Sequence, residues 1–158
     1  MRFYKKMMTA LSVVAATAVI TASAVFAYVP PTSAESACMI DVDTGKILYQ
    51  VNPNKWIHPA STTKIVTFLT ALDKGVDRLD KPIKISQEAA ATEPSVLGIS
   101  PKDQLTLREA MRGMMVVSGN DVAVAVAETL AGSVPAYAEM MNAEAAKMGA
   151  THTHFVNP

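Results

Sequence analysis

One cysteine stands among 158 residues. That excludes an intrachain disulfide framework and any cysteine-rich zinc site. An excess of either charge is also missing, since 14 basic side chains balance 14 acidic ones. No block of Lys and Arg occurs, which excludes an electrostatic nucleic-acid binder and leaves no nucleic-acid partner. Internal repeats are absent, and so is any low-complexity tract beyond the N-terminal apolar run. What the chain does have is hydrophobic content, 50% of all residues. A disordered chain is polar and strongly charged, so this one is expected to fold. Its length suits one domain of ordinary size.

The N-terminus has its own pattern. Met1-Arg2-Phe3-Tyr4-Lys5-Lys6 is basic, Met7 to Ala27 carries no charge, and small residues close the run at Ala22-Ser23-Ala24 and Val25-Phe26-Ala27. This is the layout of a secretory signal peptide. Cleavage is expected after Ala27, with Ala24 as second choice. The alternative is an uncleaved anchor, because the run approaches a spanning length. Three of the 14 basic residues and none of the acidic ones fall in residues 1–27, so the remainder is net acidic. The expected location is outside the cytoplasm, on the outer face of the membrane, in a periplasm or in the cell wall, with membrane proximity open. Cys38, in the apolar stretch Ala37-Cys38-Met39-Ile40, is expected to be a buried core thiol.

Beyond a Pro- and Ser-rich lead-in, residues 28–36, the pattern predicts an antiparallel hairpin. Ala37–Val42 and Lys46–Val51 are β-prone and flank the turn residues Asp43-Thr44-Gly45. A helix follows Pro59-Ala60-Ser61-Thr62-Thr63-Lys64 and closes at Gly75, read as its C′ residue. Ile65, Phe68, Leu69 and Leu72 share one face of it, and Val66 widens that face. Ile83–Ser86 is a short strand candidate, and residues 93–102 are a loop. Thr106-Leu107-Arg108-Glu109 fits a capping box. It opens a helix that Ser118-Gly119-Asn120-Asp121 interrupts. A nearly all-apolar helix resumes over Val122–Leu130, and a last one spans Pro135–Met148 behind Ser133. The order is mixed α and β without βαβ alternation, an α+β class. Met111, Met114, Met115, Met140, Met141 and Met148 fall at helical spacings and read as core filler. Trp56 is expected to pack from a loop.

Two elements can carry chemistry. Ser61 and Lys64 stand one helical turn apart on one face. A serine hydroxyl is a poor nucleophile until a base takes its proton. Lysine is such a base only when its amine is neutral, which needs burial or cationic neighbours. The unpaired N–H groups at a helix start favour negative charge developing on Ser61 Oγ. Pro-Ala-Ser-Thr-Thr-Lys therefore describes an acyl-transfer nucleophile. The alternative is a helix cap beside a solvated lysine. In Ser118-Gly119-Asn120, Ser118 could relay a proton, and Asn120 could hold a substrate amide or Lys64 itself. The alternative there is a plain helix–helix turn.

Together the two elements follow the order S-x-x-K, then S-D-N, of serine acyl-transfer enzymes, with Gly119 at the middle position of the second. From about Ala37 to Pro158 the sequence resembles the low-molecular-mass penicillin-binding proteins, the serine D-alanyl-D-alanine carboxypeptidases. The blocks that carry the likeness are Ile40-Asp41-Val42-Asp43-Thr44-Gly45-Lys46, Pro59-Ala60-Ser61-Thr62-Thr63-Lys64, Ser118-Gly119-Asn120-Asp121 and His154-Phe155-Val156-Asn157-Pro158. The resemblance implies a β-lactamase/transpeptidase-like fold. It implies Ser61 as the acylated serine, Lys64 as the base that activates it, and Ser118 and Asn120 as the second motif. The implied substrate is the D-Ala-D-Ala end of a peptidoglycan pentapeptide, and β-lactam antibiotics are the implied covalent inhibitors. No metal or organic cofactor is called for. Gly119, where class A β-lactamases carry Asp, favours the peptidase branch over a secreted β-lactamase. Glu128, Glu139 and Glu144 lie in helical runs and are expected to be solvated, leaving no evident carboxylate for deacylation.

One departure stands out. No Lys-Thr-Gly or Lys-Ser-Gly follows Asn120, whereas the family carries that motif on a later strand as substrate ligand and oxyanion donor. The chain is therefore expected to be an N-terminal portion with the later sheet strands missing, and turnover by this polypeptide alone is not expected. A product that binds penicillin or glycopeptide without turnover is the alternative of a different class. His58 is read as a surface loop residue, since Lys64 already fills the base role. His152 and His154 lack a third ligand for a metal.

Overall fold

The computed structural model describes residues 31–158, so the expected signal segment and its cleavage sites lie outside the described residues. The chain divides after Ile57 into two compact units.

In the first, strand β1 (Ala37–Ile40) pairs antiparallel with β2 (Ile47–Val51). Ala37 faces Val51 and Met39 faces Tyr49, and a register shift between Met39 and Ile40 absorbs one residue. The turn is built on Asp41. Its Oδ1 accepts the Thr44 N–H at 2.8 Å and its carbonyl accepts the Gly45 N–H at 2.8 Å, while Gly45 takes φ +68°. Left-handed backbone of that kind favours glycine. The predicted hairpin is thus present, but Cys38 is exposed, not buried. Among the described residues the unit holds two strands and no second layer, and a two-stranded ribbon has no interior to bury a thiol in. Trp56, expected to pack, is 69% exposed after β2 for the same lack of a partner surface within the unit.

The second unit is helical. A 3-10 turn, Ala60–Thr62, leads into α1 (Thr63–Gly75). A short α2 (Gln87–Ala90) is capped by Ser86, whose Oγ accepts the Ala89 N–H at 2.9 Å. Then come α3 (Leu107–Val117), α4 (Asn120–Ala131) and α5 (Val134–Lys147). The predicted capping box at α3 is present: Thr106 Oγ1 accepts the Glu109 N–H at 3.2 Å, and the Glu109 carboxylate accepts the Thr106 N–H at 2.8 Å. Ser133 caps α5. Gly132 ends α4 at φ +82°.

α4 lies at the centre, packed against α2, α3 and α5, and α1 packs on α3, α4 and α5. Val122, Ala123, Ala125, Val126 and Ala127 are fully buried, and small residues on this helix let its neighbours approach closely. Leu107, Met111, Met114, Tyr137 and Met141 fill the rest of the core. Met115 and Met148, expected in that core, are about half exposed because they point off the packed faces of α3 and α5.

Four further sequence expectations are corrected. The buried face of α1 is Lys64, Thr67, Thr70, Ala71 and Gly75, while Ile65 and Leu69 are exposed. Val66, Phe68 and Leu72 of the expected face pack against the core, but the most deeply buried stripe is small and polar, so hydrophobic periodicity located the packed side only in part. Gly75 is the last residue of α1 with φ −130°, not a left-handed C′ residue. Its lack of a side chain serves close packing, since a Cβ there would lie 2.6 Å from Leu107 Cδ2. Ile83–Ser86 is not a strand. Only Pro82 forms a bridge, to Thr106, and the Lys84 N–H goes to the Thr129 hydroxyl. Glu128 is not fully solvated, because its Oε2 is buried without a partner.

Candidate active site

Ser61 sits in the 3-10 turn ahead of α1 and is exposed. The residue before it, Ala60, holds φ +49°. Left-handed backbone at a non-glycine residue costs about 1–3 kcal/mol and persists where surrounding structure enforces it. Thr62 turns its hydroxyl back onto the Pro59 carbonyl at 2.6 Å and leaves the α1 N-terminus without a side-chain cap. The orphan N–H groups there are a source of positive potential beside Ser61.

Lys64 lies in the first turn of α1 and is only 5% exposed. Burial disfavours a charged amine, and that desolvation holds the Lys64 pKa below its ordinary 10.5. Its Nζ donates to Asn120 Oδ1 at 2.7 Å. No carboxylate pairs with it among the described ion pairs. A buried lysine with a neutral acceptor and no counter-ion is poised to lose its proton more readily than a surface lysine.

Asn120 opens α4. Its Nδ2 donates to the Glu93 carbonyl at 2.9 Å, and its own N–H donates to the Ser95 carbonyl at 2.7 Å. These contacts fix the amide's orientation. With the NH2 committed to a carbonyl, only the oxygen can face the Lys64 amine. Ser61, Lys64 and Asn120 line one cleft of about 380 Å³, whose walls include Thr63, Asn157 and Pro158. That volume suits a small-molecule or short-peptide ligand.

Ser118 is placed differently. It caps the end of α3 in left-handed backbone, φ +58° and ψ +36°, and its Oγ is buried with no hydrogen-bond partner. It is not among the residues lining the cleft. The structure therefore gathers three of the four predicted site residues and sets the fourth beside them with an unused hydroxyl. His58, His152 and His154 are exposed. Among the described residues no three His, Cys, Asp or Glu side chains gather to hold a metal, and no helix is long and apolar enough to cross a membrane.

Sequence reasoning passed over Asp121. It is 1% exposed, and its carboxylate accepts the N–H groups of Leu97, Gly98 and Ile99 at 2.8–3.1 Å. The available signal was an acidic residue in the first turn of a helix, beside an amide already singled out.

The family model described as D-alanyl-D-alanine carboxypeptidase matches residues 23–158. The chain belongs to the D-alanyl-D-alanine carboxypeptidase family. Among the family's carboxypeptidases, DacF of Bacillus subtilis is 40% identical over 128 residues, which is 79% of this chain and 33% of that protein. The chain thus spans about a third of the length of that relative. Of solved carboxypeptidase structures, DacD from Francisella tularensis superposes with a TM-score of 0.78 at 34% identity, covering 85% of this chain and 33% of that one. A D-alanyl-D-alanine carboxypeptidase from Mycobacterium tuberculosis gives a TM-score of 0.79 at 32% identity, covering 87% of this chain and 50% of that one. The expected β-lactamase/transpeptidase-like fold class is borne out over the hairpin and helices present here.

Proposed function

We propose that this chain carries the nucleophile-bearing part of a serine D-Ala-D-Ala carboxypeptidase acting on peptidoglycan stem peptides. The observation that carries the reading is the buried Lys64 amine, held at 2.7 Å by Asn120 in the cleft that Ser61 also lines. Ser61 Oγ bonds to the carbonyl carbon of the penultimate D-Ala as its proton passes to neutral Lys64. The tetrahedral adduct collapses, the C–N bond to the terminal D-Ala breaks, and the leaving amine takes up the proton. Water then cleaves the Ser61 ester by the reverse proton path. A positioned base of this kind contributes about 10²–10⁴ in rate. Ser118 would relay the proton to the leaving amine by turning its unpartnered Oγ into the cleft. Asn120, committed on both sides, holds Lys64 and leaves substrate binding to the cleft walls. Penicillins would acylate Ser61 by presenting a strained amide in place of the dipeptide.

Residues 1–27 read as the export signal for work outside the cytoplasm, and residues 37–158 as part of the catalytic domain. Control of cell shape through cross-link density follows from that substrate. A second reading, acylation without efficient turnover, is favoured by the position of Ser118 away from the cleft lining. Intact-mass analysis after incubation with a penicillin tests the proposal. A stable or turned-over adduct that disappears in Ser61→Ala is expected. An adduct that survives Ser61→Ala overturns the assignment of the nucleophile, and steady release of D-Ala from a stem peptide overturns the second reading.

A further inference from the structure

The segment Glu93–Ile99 is stitched to the start of α4 from both sides. Asn120 takes the Glu93 and Ser95 carbonyls, and the Asp121 carboxylate takes the N–H groups of Leu97 at 2.9 Å, Gly98 at 2.8 Å and Ile99 at 3.1 Å. Its Oδ1 also accepts the Val122 N–H at 2.8 Å. Three consecutive backbone donors curled round one buried carboxylate form an anion nest supplied from within the chain. Burial pushes the Asp121 carboxyl up, but the bonds from Leu97, Ile99, Val122 and Gly98 outweigh it, and its pKa lies below the ordinary range. Gly119 makes the approach feasible. A Cβ there would lie 2.7 Å from Val122 Cγ2, 2.9 Å from Asp121 Oδ1 and 3.2 Å from the Leu97 nitrogen.

We propose that Asp121 is a positioning residue for the candidate active site: by clamping residues 97–99 it fixes the Glu93 carbonyl that orients the Asn120 amide, and so aims Asn120 Oδ1 at Lys64. The link runs from the carboxylate to Leu97, back along the backbone to the Ser95 and Glu93 carbonyls that Asn120 holds, and from the Asn120 oxygen to the Lys64 amine. Asp121 touches neither Lys64 nor the cleft, so its effect passes through Asn120. The catalytic consequence rests on the carboxypeptidase reading, while the positional one stands without it.

Asp121→Asn tests this, since it keeps the volume but turns an NH2 toward backbone donors. Gly119→Ala is the second variant, since its Cβ would push the carboxylate out of position without removing it. Amide exchange is read by NMR at Leu97, Gly98, Ile99 and the Asn120 side chain, beside a thermal melt. Exchange faster by about tenfold or more at all four sites is expected in either variant that stays folded. Unchanged exchange at the Asn120 side chain overturns the proposal, because the loop would then not hold the amide. Penicillin acylation supplies the functional arm. Asp121→Asn should slow it by about tenfold or more alone, and by less than about twofold in an Asn120→Ala background, the signature of residues acting in series. Equal slowing in both backgrounds overturns the proposal, since loss of general stability acts independently of Asn120. If the unaltered protein takes up no penicillin, the functional reading fails and the exchange data alone decide the positioning.

Discussion

Replacing Asn120 by Ala strips the hydrogen-bond acceptor at 2.7 Å from a lysine that is almost wholly buried. A hydrogen bond to a charged group contributes about 1.5–3 kcal/mol. That bond favours the charged amine, so the Lys64 pKa should fall further in Asn120→Ala. The stability effect has a definite sign. The folded pKa of Lys64 is already below its ordinary 10.5, so between the two values the unfolded chain binds more protons. Stability therefore rises as pH climbs through the folded pKa toward 10.5 and is lowest below it. In Asn120→Ala that window widens downward. Urea denaturation of both proteins across neutral to alkaline pH should show a deficit of about 2–4 kcal/mol near neutrality, counting the lost bond to Glu93 as well. The deficit should shrink to about 1–2 kcal/mol at high pH, where Lys64 is neutral and its bond to Asn120 is no longer charge-assisted. A deficit independent of pH would refute the reasoning, because it would mean that the Asn120 oxygen does not support a charged Lys64.

Two other outcomes follow from the surroundings of Ser61 and Gly75. Ser61 is exposed, so Ser61→Ala should abolish the penicillin adduct while shifting stability by no more than about 0.5 kcal/mol in the same urea assay. Gly75→Ala should destabilise by about 1–3 kcal/mol, since the new Cβ lies 2.6 Å from a Leu107 side chain that the core holds at 2% exposure.

Signals that act locally were legible in the sequence. The Thr106–Glu109 capping box, the Asp41–Gly45 turn and the Ser133 cap each depend on residues three or four apart, and each is found. The spacing of Ser61 and Lys64 needed only a turn of helix. What failed depended on contacts between distant elements. Periodicity chose Ile65 and Leu69 for the buried face of α1, but α4 and α5 offer that helix a surface suited to Thr67 and Ala71. Gly75 looked like a helix stop because the packing of Leu107 against it, 32 positions along the chain, leaves no local trace. Cys38 looked buried because an apolar strand implies a covering layer, and the described residues of the hairpin unit supply none. Asp121 was passed over because its partners are backbone N–H groups, which every sequence has.

The central claim is that burial keeps the Lys64 amine available as a base. It is tested most directly by NMR titration of the Lys64 side chain in the intact protein, with Lys64→Arg to assign the signal. A midpoint clearly below 10.5, the ordinary lysine value, is predicted from the desolvation of this residue. A midpoint at or above 10.5 would mean a lysine that stays charged around neutral pH, and the account of Ser61 activation would be wrong.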